Sequence, residues 1–212
     1  MKEHPGNLCD YDLTNLTPLA GSPLLGKRIL FLGSSVTEGF ASMGISFVDY
    51  LARRDGILAV KEAVSGTTLV DMGPDSYISR MKRLDPTMPF DLFVCQLSTN
   101  DARLQLPPEA IADAINFIIS YARKTWGCPV AFYTSPRYEN DDYEKMVELL
   151  LTIAEKQNID VIDLWNDARW NDISQARRQL YMADPVHPTR AGYLEWWLPK
   201  WEQRLTEIFE TS

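Results

Sequence analysis

The stretch Arg28-Ile-Leu-Phe-Leu-Gly33-Ser34-Ser35-Val36-Thr37-Glu38-Gly39 decides how the chain is read. Its four apolar residues follow two cations, Lys27 and Arg28, and are too few for a helix; they predict a buried strand of the parallel type. At Gly33 the run breaks into small hydroxyl residues, the pattern of a tight turn from a strand into a helix. In open α/β sheets, ligands and reactive groups gather at the carboxyl ends of the strands. Ser35 stands at that end and is the candidate nucleophile.

Working outward, residues 1–26 hold Pro5, Gly6, Pro18, Gly21, Pro23 and Gly26 with little periodicity. They are expected to form an irregular arm packed on a single domain that spans 1–212. A strand over 28–33 is followed by a helix over 44–54, in which Ile45, Val48 and Leu51 fall at helical spacing. A second strand is expected at 57–60 and a short helix at 76–84 between loops. A third strand covers 92–97. Pro107 and Pro108 open a helix that runs to about 124, where Gly127 stops it. Strand four is 129–133. Asp141 and Asp142 suit the positive end of the next helix, with Met146, Leu149, Leu150 and Ile153 as its core stripe. Strand five is 159–164, residues 165–180 are a polar helical or irregular excursion, and 191–209 is a closing helix. Strands alternating with helices imply an α/β fold with one parallel sheet, and five strands suggest the flavodoxin-like order 2-1-3-4-5.

Composition narrows the function. The chain has 212 residues, 45% hydrophobic and 24% charged, which is ordinary for a globular protein. Its net charge of −8 argues against a nucleic-acid partner or an anionic membrane surface. No apolar run approaches the roughly 18 residues needed to cross a bilayer. Met1-Lys2-Glu3-His4-Pro5 opens no signal-peptide core, so a cytoplasmic location is the default expectation. Cys9, Cys95 and Cys128 show no paired spacing and read as reduced thiols, Cys95 and Cys128 in or beside apolar runs.

In the expected topology the loops after strands one, two and three open on one edge of the sheet and carry Ser35, Gly66 and Asn100. A serine attacking an acyl carbon needs a base, and it needs donors aimed at the developing oxyanion. The backbone N–H groups of Ser35 and Gly66 and the amide of Asn100 are candidate donors. Glycine at position 66 allows close approach or a positive φ. The chain has only two histidines. His4 lies in the arm, whereas His187 lies in Ala183-Asp184-Pro185-Val186-His187-Pro188, where one tight turn brings Asp184 to the imidazole.

With these residues in view, the chain resembles the SGNH, or GDSL-type, hydrolase superfamily. Gly33-Ser34-Ser35-Val36 is similar to its nucleophile block, Ser65-Gly66 to its glycine block, Ser98-Thr99-Asn100-Asp101 to its asparagine block, and Asp184-Pro-Val-His187-Pro188 to its closing Asp-x-x-His-Pro. Four blocks in family order, each after an expected strand or before the last helix, cover nearly the whole domain. The resemblance implies a flavodoxin-like three-layer α/β/α sandwich and hydrolysis of esters without a metal or cofactor. Ser35, His187 and Asp184 would be the catalytic set, acting on short acyl groups of carbohydrates or, in other members, on lysophospholipids or thioesters. Two positions depart from the pattern: Ser34 replaces the usual aspartate, and Ser98 the usual glycine.

Other readings of the same residues stand beside this one. The Ser34–Thr37 turn is also what a helix N-cap or a phosphate- or flavin-holding loop would show, which would make Asp184 and His187 incidental. Ser65 and Thr67 read as turn formers, and Asp101 as a cap or a loop-holding carboxylate outside the catalytic set. Trp196, Trp197 and Trp201 read as packing residues. Tyr133, Tyr138 and Trp165 are candidates to line a substrate pocket, with Glu38 and Arg137 at its rim. The expected partner is a small acyl ester, with an O-acetylated sugar as the first candidate.

Overall fold

The computed structural model describes residues 4–211; residues 1–3 of the expected arm, and residue 212, lie outside it. Three 3-10 turns, Pro5–Asn7, Cys9–Tyr11 and Leu13–Asn15, precede β1 (Arg28–Gly33). Then come α1 (Ser35–Glu38), α2 (Phe47–Asp55), β2 (Leu58–Ala63), α3 (Tyr77–Met81), β3 (Leu92–Gln96), α4 (Thr99–Arg103) and α5 (Pro108–Trp126). β4 (Val130–Tyr133), α6 (Asp141–Gln157), β5 (Asp160–Ile162), α7 (Ala168–Asn171) and α8 (Gln175–Tyr181) follow. A π-turn, Gly192–Trp197, leads into α9 (Leu198–Thr211). The five strands form one parallel sheet in the order β2-β1-β3-β4-β5, as the sequence suggested.

Strand side chains alternate between faces, and the alternation divides the core in two. Leu30, Leu32, Phe93, Cys95, Val130 and Phe132 join the inner faces of α5 and α6. Ile29, Phe31, Leu92, Val94, Ala131 and Tyr133 meet α2 and α9 on the other side. β1, β3 and β4 are therefore covered on both faces, which is why they read as unbroken apolar runs. On the α9 side the contacts are aromatic. Phe47 stacks on Trp201 with ring centroids 4.1 Å apart, and Phe31 and Tyr133 meet the same indole edge-on. Trp196, Trp197 and Trp201 are all buried, as packing residues should be.

Departures from the expected elements have local causes. The first long helix starts at Phe47, not 44, because Ser46 and Asp49 form a capping box and Gly44 turns with φ +80°. β2 runs on to Ala63, taking in Lys61 and Glu62. It is an edge strand, so polar side chains there keep access to water and Lys61 pairs with Asp49 at 2.6 Å. α1 and α4 are single turns, too short for any period to register. The closing helix is interrupted by its π-turn, where Gly192 passes so close to Tyr181 that a Cβ would stand 2.2 Å from the Tyr181 carbonyl oxygen. The 165–180 excursion resolves into α7 and α8.

The arm is tied to both ends of the chain. Asn7 Nδ2 donates to the Ala41 carbonyl at 2.7 Å, and its Oδ1 accepts from Arg190 N–H at 3.0 Å. Tyr50 donates its hydroxyl to the Tyr11 carbonyl at 2.6 Å, and Arg190 pairs with Asp12 at 3.2 Å. Cys95 and Cys128 are buried free thiols, whereas Cys9 is free and exposed. No helix among the described residues is long and apolar enough to cross a membrane.

Removing the Trp201 indole leaves Phe31, Phe47 and Tyr133 facing a void. Trp201→Ala is expected to cost about 3–5 kcal/mol, read as a lowered midpoint in urea with an unchanged slope.

Candidate active site

The nucleophile turn is built where a fully buried strand ends. Gly33 is required by packing, because a Cβ there would lie 1.8 Å from Thr37 Oγ1 and 2.8 Å from Gln96 Oε1. Ser34 occupies the N-cap position of α1 but makes no side-chain cap bond, so the capping reading of this turn does not hold. Gln96, at the end of β3, does that work from the neighbouring strand. Its Oε1 accepts from Ser34 N–H at 3.0 Å, Thr37 N–H at 3.3 Å and Thr37 Oγ1 at 2.8 Å. Tyr193 donates its hydroxyl to the Val36 carbonyl at 2.6 Å from the far end of the chain. Neither Gln96 nor Tyr193 stood out in the sequence: a polar residue at a strand end, and a tyrosine in a helix, carry no spacing signal.

Ser35 Oγ lies 2.8 Å from His187 Nε2, and His187 Nδ1 lies 2.7 Å from Asp184 Oδ2. These three residues are brought together although 152 positions separate Ser35 from His187. With Nδ1 donating to the carboxylate, the neutral ring presents Nε2 as an acceptor for the serine hydroxyl. Asp184 Oδ1 accepts from the N–H groups of Val186 and His187, both at 2.8 Å, which makes the Asp184–His187 segment one tight turn. A bridge between Met182 and Pro188 closes its base. Partial burial acts to raise the Asp184 carboxyl, but the bond from the His187 ring and the two backbone donors together outweigh it and hold the group at about 2. Phe40 packs against the imidazole with ring centroids 5.3 Å apart.

The candidate oxyanion donors gather at the same edge. Gly66 adopts φ +79°, a left-handed conformation that favours glycine. Its turn is held by Glu38, whose carboxylate accepts from both the N–H and the hydroxyl of Ser65. Glu38, expected only at a pocket rim, is thus a loop anchor. Asn100 Nδ2 donates to the Thr67 carbonyl at 2.9 Å, leaving the second hydrogen of the amide without a partner among the described residues. Ser98, in the place of the usual glycine, caps α4 by accepting from Asn100 N–H at 3.2 Å. Asp101 holds a loop: its two oxygens accept from Leu69 and Val70 N–H at 2.9 and 3.0 Å. Burial nonetheless pushes its carboxyl above the ordinary value.

The pocket candidates separate. Tyr133 is fully buried, its hydroxyl 2.6 Å from Thr37 Oγ1, so it lines no pocket; it is a core residue that braces the nucleophile turn. Tyr138 lines a cleft with Arg137, whose guanidinium lies 5.7 Å from the Trp165 ring centroid. Trp165 itself borders the cleft as a core residue, 2% exposed and packed on Tyr138 and Tyr143.

A model of the GDSL-like lipase/acylhydrolase family matches residues 31–194, most of the chain and all four sequence blocks. The chain belongs to that family. No curated protein matches it. Among solved structures, the chain is similar to a member of the lipolytic G-D-S-L family from Veillonella parvula, at 19% identity and a TM-score of 0.68 over 85% of this chain and 99% of that one. It is also similar to the acetyl xylan esterase AlAXEase, at 17% identity and a TM-score of 0.67 over 84% and 99% of the two chains. An acetyl-xylooligosaccharide esterase from Geobacillus matches at 16% identity and a TM-score of 0.66 over 87% and 96%. At these identities the likeness shows the shared fold, the SGNH-type sandwich.

The depressed Asp184 carboxyl has a consequence for stability. Its folded value, about 2, lies below the unfolded value near 3.8. The ionised form therefore stabilises the fold above the unfolded value, and that contribution fades as pH falls toward 2. The difference in unfolding free energy between the native chain and Asp184→Asn is expected to shrink steadily as pH falls below ~4. Denaturant titrations across that range check it.

Proposed function

We propose that this chain is a serine esterase working through an acyl-enzyme. The observation that carries the reading is the Ser35–His187–Asp184 chain of contacts at 2.8 and 2.7 Å. Ser35 Oγ attacks the ester carbonyl while its proton passes to His187 Nε2. The oxyanion is received by the N–H groups of Ser35 and Gly66 and by the free hydrogen of the Asn100 amide. Collapse expels the alcohol, which takes the proton from His187. Water, deprotonated by His187, then attacks the acyl-Ser35 ester, and release of the acid returns the proton to the serine. Asp184 fixes the tautomer throughout.

The substrate we propose is a short acyl ester of a carbohydrate, an O-acetyl group first. Because His187 delivers the proton to the departing alcohol, the alcohol sits on the side of the His187 loop. On that side, two adjoining clefts of about 290 and 490 Å³ share Arg137, Tyr138 and Arg178 as walls. The nearer reaches Asp184 and Pro185, and the farther is walled by Trp165. A tyrosine and two guanidiniums suit a hydroxyl-rich ring better than a lipid tail, which sets the lysophospholipase and thioesterase alternatives behind. That two similar folds bear the names of acetyl xylan and acetyl-xylooligosaccharide esterases supports the same choice. A phosphate- or flavin-holding module would have no use for a histidine already bonded to both Ser35 and Asp184.

Treatment with a fluorophosphonate, followed by mass spectrometry, is expected to place one adduct on Ser35. Ser35→Ala should lose the adduct and at least about 10³-fold of p-nitrophenyl acetate turnover. Asn100→Ala should keep the adduct site and lose about 10²–10³ in turnover. Failure of the native chain to label sinks the esterase reading. For the alcohol side, Tyr138→Ala should raise KM about fivefold for an acetylated xylooligosaccharide, about 1 kcal/mol of lost contact, and leave p-nitrophenyl acetate kinetics unchanged.

A further inference from the structure

Arg80, in α3, is the most deeply buried cation among the described residues: its side chain is 1% exposed. A guanidinium has five N–H donors, and all five here have acceptors. Nη2 donates to the Gly33 carbonyl at 2.6 Å and to Thr67 Oγ1 at 3.2 Å. Nη1 donates to the carbonyl and the carboxylate of Glu62 at 2.9 and 3.1 Å, and Nε to the Asp75 carbonyl at 2.9 Å. The ring of Tyr77 lies 5.3 Å from the guanidinium carbon.

The identity of those acceptors matters more than their number. Gly33 is the last residue of β1, two positions before Ser35. Thr67 directly follows Gly66. One Nη2 atom thus joins the nucleophile turn to the glycine turn, and the same planar group grips the end of β2 and the 71–76 loop. Burying a cation is costly unless every donor is met. A core needing only volume at this position would hold a leucine or methionine. What an arginine supplies instead is a rigid fork that fixes several carbonyls at set distances.

Oxyanion stabilisation depends on two N–H groups from different loops converging on one oxygen, and small displacements weaken it strongly. We infer that Arg80 is a positioning residue for this convergence: it holds the Ser35 turn and the Gly66 turn at the separation at which their N–H groups share one oxygen. It touches neither substrate nor the reacting atoms. The inference rests on the esterase reading above and adds to it a residue outside the four family blocks.

The test compares Arg80→Met, Arg80→Lys and the near-isosteric Thr67→Val, which removes the Oγ1 acceptor of Arg80 on the glycine turn together with the Oγ1 bond to the Val64 carbonyl at 2.7 Å. In p-nitrophenyl acetate hydrolysis, Arg80→Met is expected to lower kcat about 10²-fold, the scale of one lost oxyanion donor, with KM changed by less than about threefold. Arg80→Lys, which keeps the charge but not the fork, should recover only part of that loss. Thr67→Val should lower kcat about tenfold, and on the Arg80→Met background its further cost should be clearly smaller, because the two variants share the Arg80–Thr67 contact; what remains reports the Oγ1 bond to Val64. The rate of fluorophosphonate labelling at Ser35 should fall in step with kcat. A merely structural arginine would lower the urea midpoint and leave kcat of the folded fraction unchanged, and that outcome overturns the inference. So does a double variant whose losses simply multiply. If Arg80→Met does not fold, Thr67→Val decides: full kcat in that variant overturns the inference. A native chain that never labels on Ser35 removes the esterase reading and this one with it. Normal native labelling with unchanged kcat in the variants removes this one alone.

Discussion

A strand with no solvent-facing side can place polar groups only at its ends. β1 is buried between α2 and α9 on one face and α3 and α5 on the other, and it is paired on both edges by β2 and β3. Its side chains can therefore offer packing but no chemistry until Gly33. Beyond that point the backbone must turn sharply, and its freed N–H groups must find acceptors in a dry environment. The carboxyl ends of the adjacent strands supply them, and the site is built from what this requirement assembles.

Apart from the His187 turn, each turn that carries a candidate reactive or donor group is held by something from another segment. Ser34 and Thr37 are held by Gln96 of β3, Val36 by Tyr193 near the π-turn, Ser65 by Glu38, and the Leu69–Val70 loop by Asp101. Thr67 is engaged from outside its turn by Asn100 and by Arg80, and within it by its own bond to the Val64 carbonyl. The cross-bracing explains how four short loops form one site. None has enough internal hydrogen bonds to define itself, yet each is fixed by a rigid element that belongs to the core. The imidazole alone sits on a turn that is largely self-contained, with Asp184 closing the ring around Val186 and His187.

Ser34 illustrates how a family position can change without losing the turn. The residue is buried, and its backbone N–H bonds Gln96 while its side chain makes no cap bond to α1. A small side chain is what the packing between β1 and α3 accommodates. Ser98 shows the opposite case: the replacement gains a cap for α4, so the Asn100 segment is ordered by a hydroxyl that a glycine would lack.

The amino-acid sequence by itself determined the strand order, the core stripes, the grouping of Ser35, Gly66 and Asn100 at one edge, and the pairing of Asp184 with His187. Periodicity reports burial, and a parallel α/β chain leaves few ways to arrange five buried strands. It also marked the terminal tryptophans as core. Tertiary structure alone decided the braces. Gln96, Glu38, Tyr193 and Arg80 act across gaps of 27 to 157 residues, and a polar side chain gives no sign in sequence of the distant carbonyl or N–H it will meet. The same holds for Tyr133, which lies at a strand end beside the site and yet faces inward. Which side of the sheet a strand-end residue takes is set by register and by the indole packed behind it, and both exist only once the layers have closed.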